Sequence, residues 1–150
     1  GGPIQVLDLP SGERVAEVVP PKGTDFVWRA SPMPDGIWMD GVRKGEPWVS
    51  FTPTSGSRIT VQSADVCDEP VAAGCRFGLA QAIPGGAWLL AGPVDEVGGI
   101  DWSAADLVRI SSADGKPVAR IDLEALSPAS STGPRPASVR RPSRARLSAV

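Results

Sequence analysis

An all-β fold of antiparallel hairpins is what this sequence predicts, on three observations. Gly and Pro make up 33 of the 150 residues, about twice the ordinary share, which favours turns over helices. Apolar–polar alternation broken by small polar residues and Gly recurs three times along the chain. A Pro-x-Gly-x-Trp-apolar motif occurs twice, 50 residues apart, at Pro34–Met39 and at Pro84–Leu89.

The first hairpin is Ile4 to Leu9 returning as Glu13 to Val19 after a turn at Ser11-Gly12, with apolar residues on one face. The second runs Pro47 to Phe51, turns at Ser55-Gly56 and returns as Arg58 to Val61. The third is Leu107 to Ile110 and Pro117 to Leu123 about Asp114-Gly115. Prolines at 10, 20, 21, 32, 34, 47, 53, 70, 84 and 93 leave few windows of helix length, because an interior Pro costs about 3 kcal/mol. At most one short helix is expected, near 103–107, with Ser103 as N-cap and Asp106 closing a capping box. Each Pro-x-Gly-x-Trp strand precedes one of the later hairpins, and a period near 50 built from short strands suggests propeller blades.

Ser31-Pro32-Met33-Pro34-Asp35-Gly36-Ile37-Trp38-Met39 resembles the Ser-Pro-Asp-Gly turn-and-strand signature of TolB-type and WD-like β-propeller repeats. Leu7 to Glu13 and Ile110 to Lys116 resemble the outer hairpin of such blades. The first copy carries Met33 as an insertion, and the second lacks both the Ser and the Asp. The resemblance spans residues 4–123 and implies two to three propeller-like blades over residues 1–126. A closed propeller has about four or more, so it implies a fragment of a larger propeller, or self-association through open strand edges. A β-sandwich is the alternative architecture.

Charge divides the chain. Residues 1–126 hold ten bases against all seventeen acids, a balance of −7. Residues 127–150 hold five Arg, no acid, and mostly Ser, Ala and Pro, a composition expected to form a disordered basic tail. Within it, Arg140-Arg141-Pro142-Ser143 matches a basophilic kinase site, which makes Ser143 a phosphosite candidate set against a simple biased linker. The acid-rich body is not expected to bind nucleic acid, which needs clustered Lys and Arg. No apolar run approaches the roughly 18 residues of a membrane-spanning helix. No secretory-type segment opens the chain, which fits a processed form or a fragment.

The chain contains no His, Tyr or Asn. Their absence removes the commonest general base, His-dependent triads, His metal sites and N-glycosylation sequons. No nucleophile elbow, Walker loop or dinucleotide fingerprint occurs. The acid pairs Asp68-Glu69 and Asp95-Glu96 read as solvated loop charge, with calcium binding as the functional alternative. No catalytic residue, metal or cofactor is expected. Cys67 and Cys75 are expected to form a disulfide, with free buried thiols or a metal pair as the alternatives, and the bridge would point to an oxidising, extracytoplasmic compartment. Trp38 and Trp88 read as core. Trp28 and Trp102, beside Arg29 and Asp101, are the candidates for the surface and for stacking on a ligand. The leading expectation is a non-catalytic binding or scaffolding module for a protein, peptide or glycan. The propeller portion of a larger peptidase or lyase, and a sugar-binding sandwich, are the alternatives.

Overall fold

The computed structural model describes residues 2–68 and 74–126. The tail of residues 127–150, with Ser143, and Glu69 of the first acid pair lie outside the described residues.

Ten strands of the described residues form three antiparallel sheets. β1 (Ile4–Leu7) and β2 (Arg14–Val18) make a hairpin. β3 (Phe26–Met33), β4 (Gly36–Arg43), β5 (Glu46–Pro53) and β6 (Ile59–Thr60) form a meander in chain order. β7 (Cys75–Ile83), β8 (Gly86–Pro93), β9 (Asp106–Ser111) and β10 (Pro117–Asp122) form a second. The three expected turns join β1–β2, β5–β6 and β9–β10. Each meander also has a leading strand, β3 or β7, that the alternation pattern did not announce.

Both copies of the Pro-x-Gly-x-Trp motif occupy the same place. Met33 pairs with Gly36 and Ile83 with Gly86, so Pro34-Asp35 and Pro84-Gly85 are two-residue turns between the first and second strands. Pro suits the first central position of such a turn, and Gly85, at φ 75°, supplies the left-handed second one. The motif glycine answers a steric demand. A Cβ on Gly36 would lie 2.4 Å from the Thr52 carbonyl oxygen, and one on Gly86 would lie 2.1 Å from that of Ile110.

Side chains alternate across a strand, and the second sheet buries both of its faces. Trp38, Val49 and Phe51 face the third sheet, where they pack with Phe77, Leu79, Ala87, Leu89, Val108 and Ile110. The Trp38 and Phe51 rings stand 5.0 Å apart. Ile37, Met39 and Trp48 face the other way, against Ile4, Val6, Ala16 and Val18 of the first hairpin. The described residues therefore form a stack of three layers in chain order.

Trp38 is fully buried, as expected. Trp88 is only partly buried, which corrects its assignment to the core. It occupies the face of the third sheet opposite Ala87 and Leu89. The helical content also departs from expectation. A four-residue helix α1 (Ser63–Val66) precedes the disulfide. The turn near 103 is a 3₁₀ turn over Trp102–Ala104, capped by Asp101 rather than Ser103. The Asp101 carboxylate accepts hydrogen bonds from the Ser103 amide at 3.0 Å and its hydroxyl at 2.6 Å, which holds its pKa below the usual carboxylate value. A second 3₁₀ turn spans Glu124–Leu126.

Candidate functional site

β3 is an edge strand of the second sheet, and it carries a β-bulge. Val27 pairs with Gly41 and Arg29 with Asp40, so Trp28 is the unpaired extra residue. A bulge re-aims the side chain it carries. Here Trp28 is 51% exposed, and Phe26, two residues earlier, is 60% exposed. Between this strand, Ile4 of β1 and the Val19–Asp25 connection lies an open groove of about 900 Å³. Trp28, Phe26, Lys22, Arg29 and Arg58 contribute to its lining.

The polar groups around the groove are tied to the backbone. Arg58 donates to the Val19 carbonyl and, through Nε, to Thr52 Oγ1 at 3.2 Å. The Asp25 carboxylate accepts the Lys44 amide at 2.5 Å, which fixes the β4–β5 turn where Lys44 adopts φ 54°. Arg29 Nη1 reaches the third sheet, donating to the carbonyls of Leu79 and Ala80 at 2.9 Å each. Asp40, its cross-strand neighbour, is 4% exposed and accepts the Leu79 amide at 2.9 Å. Burial raises the Asp40 pKa, and the Leu79 hydrogen bond and the Arg29 charge only partly oppose this. The other carboxylate oxygen of Asp40 has no hydrogen-bond partner among the described residues.

Of the two stacking candidates, Trp28 lines this groove. Trp102 is 69% exposed in its 3₁₀ turn and does not line it. The structure therefore does not bring the two together. Cys67 and Cys75 are joined as a disulfide that links the end of α1 to the start of β7. A smaller cleft of about 230 Å³ adjoins the bridge, with Asp68, Asp106 and Arg120 at its margin. There the Arg120 guanidinium contacts Asp106 at 2.5 Å and Asp68 at 3.9 Å. Asp95 spends its carboxylate on its own loop, accepting the amides of Val97 at 3.0 Å and Gly99 at 2.7 Å. Among the described residues, no group of three or more acidic or Cys side chains could hold a metal ion.

Sequence reasoning missed Phe26, Arg29 and Asp40. Asp40 had a readable signal, because it stands in the otherwise apolar run Ile37-Trp38-Met39 at a position where the second copy has Leu90.

No family model matches the chain, and neither a curated protein nor a solved structure shows similarity to it. No helix of the described residues is long and apolar enough to cross a membrane.

Proposed function

We propose that the chain is a non-catalytic binding or scaffolding module, built from propeller-like blades, whose recognition surface is the groove along β3. The observation that carries this reading is the pairing of Trp28 and Phe26, half or more exposed on one bulged edge strand above an open groove. Large aromatic side chains lose little conformational entropy on binding and dominate interface energetics. The arginines beside them are held by backbone carbonyls, so the rim of the groove is preorganised. The propeller-like reading is supported by two four-stranded meanders with the same motif at the same turn, stacked face to face in chain order. The disulfide is compatible with an oxidising, extracytoplasmic setting.

The test is a screen of the full chain against peptide and glycan arrays, repeated with Trp28→Ala and with Trp102→Ala. The reading expects binding that falls at least about tenfold with Trp28→Ala, as for an interface hot spot, and is unchanged with Trp102→Ala. Equal loss with both variants, or retention with both, would place the recognition surface elsewhere.

A further inference from the structure

The groove along β3 is a basic place in an acidic body. Residues 1–126 carry a balance of −7, yet among the described residues the groove is lined by three bases, Lys22, Arg29 and Arg58, against one acid, Asp25. Arg43 and Lys44 adjoin the same wall. Lys44 gives its amide to Asp25, and the Arg43 Cδ lies 3.9 Å from where a Cβ on Gly23 would stand. Half of the ten bases of the body therefore gather at one groove. The ion pairs among the described residues involve Arg14, Lys116 and Arg120, and none of these five. Lys22 is exposed and makes no hydrogen bond or ion pair among the described residues. Arg29 donates through Nη1, and Arg58 through Nε and Nη2, to neutral carbonyl and hydroxyl oxygens. A guanidinium has five N–H donors, so each keeps donors to spare. The Arg29 charge also acts on the Asp40 carboxylate, which is buried and does not line the groove.

The shape of the groove adds a second constraint. Five consecutive residues of β3, Phe26 to Ala30, line it. Val27 and Ala30 face the first hairpin and Arg29 faces the third sheet, so the groove follows the edge of the strand rather than one of its faces. That edge is the free one. β4 pairs with β3 on the other side, and no backbone hydrogen bond leaves Phe26–Met33 outward among the described residues. Such an edge takes an extended polypeptide by strand addition, whereas a glycan or a nucleic acid has no ladder of N–H and C=O groups to match it. The alternation of an extended segment lets apolar side chains meet Ile4, Val27 and Ala30 while the intervening ones reach the bases.

We infer that the groove binds an acidic, extended peptide, paired along the free edge of β3 with its carboxylates on Lys22, Arg29 and Arg58. This rests on the groove being the recognition surface and gives its ligand a charge and a conformation. The net charge of the body does not oppose it. Charges more than a Debye length away, about 8 Å at physiological ionic strength, are largely screened, whereas the bases of the groove act at contact. Residues 127–150, with five Arg and no acid, have the wrong sign to fill it.

The test uses the full chain and three labelled peptides of about eight residues, a common strand length, alternating Val with Glu, with Gln or with Lys. Binding is read by fluorescence anisotropy and by hydrogen exchange at residues 26–30. The Glu peptide is expected to bind at least about tenfold more tightly than the Gln peptide, with the Lys peptide weakest, and to slow exchange at 26–30. Lys22→Glu turns an attraction into a repulsion at an exposed residue and should weaken the Glu peptide about fivefold. Arg109→Glu makes the same change at an exposed position of β9 outside the groove and should leave binding as it was. Equal binding of the Glu and Gln peptides, equal effects of the two charge reversals, or no binding of the Glu peptide would each overturn the inference. Binding without slowed exchange at 26–30 would overturn the strand pairing. A sulfated oligosaccharide that binds in a Lys22-dependent way where the Glu peptide does not would assign the groove to an anionic glycan instead. If the Gln peptide binds as tightly as the Glu peptide and Trp28→Ala still weakens both, the recognition surface stands and only its acidic preference is lost. If Trp28→Ala changes neither, the reading of the groove itself fails.

Discussion

The Asp40 carboxylate of the second sheet accepts the Leu79 backbone amide of the third at 2.9 Å, inside a boundary where Asp40 is 4% exposed. Leu79 immediately precedes the bulge of β7, since Leu79 pairs with Leu89 and Gln81 with Trp88, leaving Ala80 unpaired. Arg29 takes the carbonyls of Leu79 and of the unpaired Ala80. One cross-strand pair of β3 and β4 thus satisfies a donor and two acceptors of a neighbouring sheet where that sheet's own edge is irregular. Each buried backbone group needs such a partner.

Removal of the Asp40 acceptor is expected to cost more than removal of its charge. Asp40→Ala leaves the Leu79 amide unsatisfied and should lower unfolding free energy by about 1–3 kcal/mol, read by urea titration at pH 7. Asp40→Asn keeps an acceptor and sheds the desolvated charge, so its change should stay within about 1 kcal/mol. A loss with Asn equal to that with Ala would show that the negative charge itself is required.

The raised Asp40 pKa gives a pH dependence of definite sign. The folded state retains this proton at pH values where the unfolded chain, near the ordinary 3.8, has lost it. The Asp40 contribution therefore favours the folded state at low pH and declines as pH rises from about 3.8 through the folded value. Measured as a difference, wild type should lose stability relative to Asp40→Asn across that interval and run parallel to it above. A difference that grows in the opposite direction would mean that Arg29 and the Leu79 amide outweigh burial.

The motif glycines should be intolerant of even one methyl group. At Gly86 the obstacle is the Ile110 carbonyl oxygen, 2.1 Å from the position of a Cβ, and backbone within a paired strand cannot swing aside. Gly86→Ala is expected to destabilise by about 3 kcal/mol through overpacking. Gly45→Ala serves as a contrast, because a Cβ there meets nothing within 4 Å, although its φ of 78° carries a backbone cost of about 1 kcal/mol. Equal costs would mean that the clash is relieved by strand separation.

Reduction of the Cys67–Cys75 bridge releases a loop with a sequence separation of 8. The chain-entropy estimate for so short a loop is roughly 2.5 kcal/mol, or about 10 °C in the thermal midpoint of a domain this size. Calorimetry with and without reductant measures it directly. An unchanged midpoint would show that packing of Val66 and Phe77 already fixes both ends.

The hairpins and their turns were legible because alternation and small polar residues are local signals, and β1–β2, β5–β6 and β9–β10 turn where those signals lie. β3 and β7 were not legible. Phe26–Met33 includes Arg29, Ser31 and Pro32, and its bulge shifts the alternation at Trp28. Cys75–Ile83 breaks phase at Ala80 in the same way. The exposure of Trp28 and Trp102 was readable from their charged neighbours, whereas the groove depends on the spacing of two layers, which no local pattern encodes. The Asp40 contact joins residues 39 apart, and only the stacking of sheets reveals it.

The two motif tryptophans offer the sharpest test of the layered arrangement. They share a turn, a preceding Gly and a register, so a local account would give them equal weight. The stack does not. Trp38 is fully buried against Phe51 and the third sheet, and Trp38→Ala is expected to cost about 3–5 kcal/mol. Trp88 lies on the far face of the third sheet and is only partly buried, so Trp88→Ala removes less buried area and should cost about half as much. Urea titrations of both variants give the ratio. Equal losses in the isolated chain would mean that a further layer, such as a second copy, covers the Trp88 face in solution, and a fall in the Trp88→Ala cost on dilution would then follow.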